Sequence, residues 1–217
     1  MTKLDNLPKG LVFVNQYDRM LRWYKCIQKI NEGKPESLGQ ALNDFDEILV
    51  FFIICYHLRD WLIQDVTADE TDANYTKFLI LKRDIDNFIN SNDCLCLCVD
   101  ICNSAKHRNL VKPPRFHEKT EVCPGPFEII STGNGQICKQ NWELITDSGK
   151  KFDLFEIATE CVSKWSEFLT THKTQIQELT PYWREEHETV SYDPRMVEGN
   201  VIGSSHIKVH RVRHIGR

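Results

Sequence analysis

The sequence predicts a mainly α domain: a bundle of four to five helices carrying a small antiparallel β insertion. Three observations point there. Five segments repeat apolar residues at helical spacing. One of them, around Ile48–Cys55 (ILVFFIIC), is apolar nearly all round and so belongs centrally in the bundle. The stretch from Arg115 to Asp147 then changes character: Pro124, Gly125, Pro126, Gly133, Asn134 and Gly135 separate short β-prone runs. With 217 residues, 41% hydrophobic and 27% charged, the chain can build one well-filled core. The expected organisation is one helical domain over 1–180, with the insertion at about 115–150. A C-terminal extension with a basic end, 181–217, follows.

Residues 1–10, with Pro8 and Gly10, read as a lead-in. Tyr17, Met20, Leu21, Tyr24, Ile27 and Ile30 share one helical face, so a helix is expected over Gln16–Ile30, ending near Asn31–Gly33 ahead of Pro35. The second helix, Leu38–Leu62, opens at Ser37 or Gly39. It aligns Leu42, Phe45, Ile48, Leu49, Phe52, Ile53, Tyr56 and His57 in a broad stripe. Asp65–Asn74 is an acidic loop and Tyr75–Ile89 a third helix. Cys94–Leu110 begins with an alternation a strand could carry (DCLCLCVDIC). Asp100, Asn103 and His107 recur at helical spacing, however, so a helix is predicted. Asn92 or Asp93 caps it and Pro113–Pro114 stops it. In the insertion, Phe127–Ile130 and Trp142–Thr146 are the strand candidates, Asn134–Gly135 the hairpin signal and Asp147–Gly149 a further turn. Phe152–Thr171 returns to helix, with Asp153 as its cap and Phe155, Ile157, Ala158, Cys161, Val162, Trp165, Phe168 and Leu169 as its buried face. Beyond Leu179, Tyr182–Trp183 and Glu185, Glu186 and Glu188 point to a further short element. The closing HIKVHRVRHIGR reads as a short strand or a basic tail.

A formal net charge of −4 argues against a whole-surface nucleic-acid binder and confines any such contact to a local patch. Nothing at the N-terminus reads as a signal peptide. Ile48–Cys55, bracketed by Asp46, Glu47, His57 and Arg59, is too short to span a bilayer, so no membrane insertion is expected. Nine cysteines, an odd number with Cys94, Cys96, Cys98 and Cys102 crowded together, fit reduced thiols in a cytoplasmic protein. Cys94, Cys98 and Cys102 recur every four residues, too stretched along a helix to hold one ion together. Cys123 and Cys138 fall short of defining a zinc site, though they are placed to pin the sheet. No Walker-type loop, GxGxxG, GxSxG or HExxH occurs, which leaves ATPases, dinucleotide enzymes, serine-elbow hydrolases and zinc proteases without support. No metal and no cofactor are expected.

Two clusters of polar residues interrupt the apolar helices. His57 and Asp60 lie three apart on the second helix; Asp100, Asn103 and His107 share a face of the fourth. If those helices are neighbours, the five side chains meet, and burying them unpaired would cost several kcal/mol in order of magnitude. A His57–Asp100 or His107–Asp60 pair would fix an imidazole tautomer, as acid–base chemistry needs, but an architectural hydrogen-bond network has the same residues. His57, Asp60, Asp100 and His107 also add up to two nitrogen and two oxygen ligands, although HxxD with DxxNxxxH is not a strong metal signature.

The H-L-x-D-W segment at 57–61, followed by D-x-x-N-x-x-K-H at 100–107, resembles a group of bacterial helical proteins. Asn103–His107 (NSAKH) is similar to part of the catalytic helix of the HEPN superfamily. That resemblance implies a four- or five-helix bundle. It also implies either a metal-independent endoribonuclease of toxin–antitoxin or antiviral defence, or a non-catalytic dimerisation or RNA-binding module. On the enzymatic branch His107 is the acid or base and His57 its partner, and Asn103 orients the phosphate or the imidazole. Asp60 and Asp100 complete the cluster, and Arg59, Lys106 and Arg108 bind phosphate. RNA would be the substrate, since the route needs the 2′-hydroxyl. Catalytic members place an arginine just before the asparagine or a little further upstream. Here Cys102 precedes Asn103 and Asp100 stands upstream, which favours the fold over the chemistry. The alternative expectation is a helical interaction domain, with a protein partner or a second copy of the chain, whose polar network is structural.

Overall fold

The computed structural model describes residues 11–33, 41–66, 74–106, 113–133 and 135–179. The lead-in, residues 67–73 of the acidic loop, Asn134 and the whole 181–217 extension lie outside them, as do His107 and Arg108. Among the described residues the chain is mainly helical, with one small antiparallel sheet. The elements are α1 (Leu11–Asn31), α2 (Ala41–Asp65), α3 (Tyr75–Asn90), α4 (Asp93–Lys106), β1 (Thr120–Thr132), β2 (Gly135–Thr146), β3 (Lys151–Asp153), α5 (Leu154–Thr171) and α6 (Lys173–Leu179). No helix among the described residues is long and apolar enough to cross a membrane.

The apolar period of α1 buries Tyr17, Met20, Tyr24, Ile27 and Ile30, as its spacing predicts. The helix ends at Gly33, whose φ of 82° suits a residue without a Cβ; its N–H donates to the Ile30 carbonyl at 3.0 Å. A side chain at that position would meet the Cys138 carbonyl at 3.1 Å, because β2 passes close by. On α2 the buried apolar residues are Ile48, Phe51, Phe52, Cys55, Leu58 and Leu62, recurring every three or four positions. Leu49, Ile53, Tyr56 and His57, placed on the inward stripe by the sequence reading, are only half-buried. The helix is rotated relative to that expectation.

The central helix is α4, not α2. Every residue from Cys94 to Cys102 is buried, and α2, α3, α5 and β1 all pack around it. The cysteines explain this. Their side chains are short enough for neighbouring helices to approach from every direction, whereas the large Phe and Ile side chains of α2 keep neighbours apart. The strand-like alternation of this segment therefore reflects all-round burial in a helix. Asn92 stands just before α4 and its carbonyl receives the Leu95 and Cys96 N–H groups, but its side-chain amide donates backwards to the Phe88 carbonyl at 2.7 Å. Asp153 does cap α5: one carboxylate oxygen accepts from Phe155 N at 2.7 Å and Glu156 N at 3.0 Å.

The insertion is a long hairpin, with strand order β1-β2-β3. β1 runs well beyond the predicted Phe127–Ile130 and contains Pro124 and Pro126, which it tolerates because it lies at the sheet edge. A register shift between Pro124 and Phe127 marks a bulge there. The pairing Thr132↔Gly135 closes the hairpin one residue earlier than an Asn134–Gly135 turn would. Cys123 faces Glu143 and Cys138 faces Ile129, both as free thiols, so they do not pin the sheet. On the near side of the bulge Trp142, Leu144 and Thr146 are buried, and Trp142 stacks on Phe45 of α2 with ring centroids 4.5 Å apart. On the far side Phe127, Ile129 and Ile130 are 40%, 60% and 40% exposed.

Candidate functional site

The five predicted polar residues do not converge on one point. Asp100, buried on α4, turns to the chain that follows the double proline. One carboxylate oxygen accepts from Arg115 N at 2.8 Å and the other from Phe116 N at 2.9 Å. Burial pushes its carboxyl above the usual range, while the two backbone N–H groups pull the other way. Asp100 therefore anchors the entry to the hairpin instead of pairing with His57. Phe116 then packs edge-on against Phe152 at 5.4 Å, and His117 takes a left-handed φ of 72° as the chain swings into β1.

The α2 cluster faces outward. His57 Nδ1 lies 3.5 Å from Asp60 Oδ2, with side chains 37% and 53% exposed. Arg59 is saturated by carboxylates: Nε and Nη2 donate to the two oxygens of Asp86 on α3 at 2.6 and 3.0 Å, and Nη1 to Asp60 at 2.9 Å. These partners, Asp86 first, hold the guanidinium charged more firmly than usual and leave little of it for a phosphate. Asn103 is half-buried near the end of α4. His107 and Arg108 lie outside the described residues, and so does the side chain of Lys106.

A cavity of about 150 Å³ does form between α2, α4 and α5, next to this cluster. Tyr56, Arg59, Asp60 and Arg115 contribute its polar lining, Ile89, Leu95 and Val99 its apolar walls. Cys55, Cys98 and Trp165 are its fully buried members. Arg115 Nη1 donates to Asn90 at 3.1 Å, so its head group is fixed at the edge. Behind Cys55 and Cys98 stands Cys161 of α5, and the three sulfur atoms all lie within 4.8 Å of one another. Cys98 Sγ donates to the Phe52 carbonyl at 3.5 Å and Cys161 Sγ to the Cys94 carbonyl at 3.3 Å. Burial alone would raise all three thiols. For Cys55 the neighbouring Cys161, Cys98 and Trp165 outweigh burial and bring it down to about 5, whereas Cys98 and Cys161 are pushed well up. The three sulfurs thus stand together in one buried cluster, and a cysteine thiolate is both a nucleophile and a soft-metal ligand.

Sequence reasoning missed Asp86, Arg115 and this trio. Asp86 is one of several charges on α3 and nothing in its spacing marks it. Arg115 carried a signal of a kind, as a basic residue directly after Pro113–Pro114. The cysteines sit far apart in the chain on three helices, so no local spacing joins them. Comparison with known proteins found no matching family model, no similar curated protein and no similar solved structure.

Proposed function

We propose that this chain is a non-catalytic helical interaction domain that pairs with a second copy of itself through its hairpin. The observation that carries this reading is the exposure of Phe127, Ile129 and Ile130 on β1, an edge strand. Exposed, β-prone edges are normally blunted, and Pro124 and Pro126 do so in the near half of β1. The half from Phe127 to Thr132 has no proline and keeps backbone donors for a new neighbour. Two such edges side by side form an antiparallel, self-complementary interface, the arrangement a two-fold dimer requires. The polar residues support the same reading, since Asp100 and Arg59 are spent on holding the fold.

Light scattering on the purified chain checks this. The wild type is expected to be dimeric at micromolar concentration, and Ile129→Lys to be monomeric with an unchanged circular dichroism spectrum. A wild type that stays monomeric sinks the homodimer. The HEPN-like endoribonuclease is the second reading. It draws on His57 beside Asp60 next to the cavity, and Asp86 on Arg59 weighs against it. Cleavage of single-stranded RNA in EDTA, abolished in folded His57→Ala and His107→Ala variants, would put that reading first.

A further inference from the structure

We propose that Cys55, Cys98 and Cys161 form a binding site for a thiophilic divalent cation, Zn²⁺ in the first instance, with its fourth position turned to the cavity. Three helices, α2, α4 and α5, each deliver one sulfur to the same point, all within 4.8 Å of one another. Zinc–thiolate bonds of about 2.3 Å put tetrahedral sulfurs roughly 3.8 Å apart. Closing the site thus needs a contraction of at most about 1 Å, within reach of cysteine rotamers.

A second observation points to the same ligand. The indole N–H of Trp165 is buried, lines the cavity beside Cys55 and Cys98, and has no nitrogen or oxygen acceptor, only the sulfur of Cys55. A neutral thiol is a poor acceptor for it. A metal-bound thiolate carries the charge that such a donor stabilises, as the outer ligands of zinc sites commonly do. Loading the site would therefore give this buried donor a charged acceptor.

Charge selects among soft ions. Three thiolates with Zn²⁺ leave one net negative charge, whereas Cu⁺ would leave two in a helical interior that disfavours them. Binding forms three Zn–S bonds, and each sulfur still protonated loses its S–H bond and gives the proton to solvent. A cavity of about 150 Å³ leaves room for a water to complete the tetrahedron. Clusters that demand four cysteines do not fit three. Neither reading under Proposed function bears on this site, so it stands or falls independently.

The test is titration of the full, reduced chain with Co²⁺ under anaerobic conditions, followed by Zn²⁺. The expected result is one equivalent of cobalt with thiolate-to-metal charge-transfer absorption and intense tetrahedral visible bands, both erased by Zn²⁺. Cys55→Ser, Cys98→Ser and Cys161→Ser should each lose the bands, and Cys26→Ser, on the half-buried side of α1, should keep them. Trp165→Phe keeps the thiols and should weaken binding on the order of 10–100-fold. Absence of charge-transfer absorption in the wild type overturns the proposal. So do bands that survive in all three serine variants. Should a serine variant fail to fold, the wild-type spectrum still decides: charge-transfer intensity below that of three Co–S bonds overturns the proposal.

Discussion

The helical body and the far half of the hairpin use apolar residues in opposite ways. In the body most large apolar side chains pack inside, Leu79 and Ile80 of α3 being exposed, and α4 is enclosed from Cys94 to Cys102. Past the bulge at Pro124–Phe127 the hairpin meets the body through β2, near Gly33, while Phe127, Ile129 and Ile130 of β1 stand exposed. The strand pattern looks alike on both sides of the bulge; only the near half finds a core, with Trp142 stacked on Phe45 and Leu144 fully buried. The same residue types thus serve stability in one region and are left for recognition in the other. Mutation separates the two.

The largest expected effect is in the body. Phe52 is fully buried and meets Phe51 edge-on at 5.3 Å. Phe52→Ala removes a packed ring and leaves a cavity, at a cost of about 3–5 kcal/mol. Urea unfolding followed by circular dichroism reads this directly. The matching change in the hairpin, Phe127→Ala, should cost well under about 1 kcal/mol in the same assay at a concentration low enough to keep the chain monomeric, because the residue is 40% exposed. Equal losses at the two positions in the monomer would break the comparison and mean that the far hairpin packs on the body in solution.

How much of this could be read in advance follows from how far each signal reaches along the chain. Helices of three-to-four-residue period were legible, and so was the Asp153 cap, because both are local. The insertion was legible from its glycines, prolines and β-prone runs. The rotation of α2 was not, since a segment apolar nearly all round has no preferred inward face until neighbours choose one. Nor was the central place of α4, which depends on small cysteines letting four elements close in. The polar cluster fared similarly. His57 and Asp60 share a face as their spacing requires. Asp100 had equal reason to face His57 or the backbone beyond Pro114, and only the path of the chain decided it. Asp86 and the three cysteines are long-range partners, invisible to any local spacing.

The joint between body and hairpin gives a middle-sized effect. Asp100 ties α4 to the N–H groups of Arg115 and Phe116. Asp100→Ala removes two charge-assisted bonds. The desolvation that raises the carboxyl pKa offsets part of what they contribute, leaving a loss of about 2 kcal/mol. Amide exchange at Arg115 and Phe116 should quicken more than at Leu81 or Ile85, which lie in the body. Uniform acceleration would mean that the joint and the body open as one unit.

The smallest effect lies at the hairpin base, where the sign of a pH dependence can be checked. Glu118 accepts from Ser148 Oγ at 2.7 Å and, more weakly, from Ser148 N at 3.3 Å, bridging the approach to β1 and the turn between β2 and β3. The Ser148 hydroxyl chiefly, with Thr146, holds its carboxyl below the ordinary 4.5. A folded pKa below the unfolded one stabilises the fold at pH above the unfolded value, and that stability is lost as pH falls through the folded value. The carboxylate lies at the surface, so water and salt screen the effect. Glu118→Gln should leave the body's unfolding unchanged near neutrality and flatten only the acid-side slope. In the wild type, the Glu118 carboxyl followed by NMR should titrate below its ordinary value. Titration at the ordinary value would show that the Ser148 contact is not kept in solution, and that the hairpin depends for its seat on Asp100 and the Trp142–Phe45 stack.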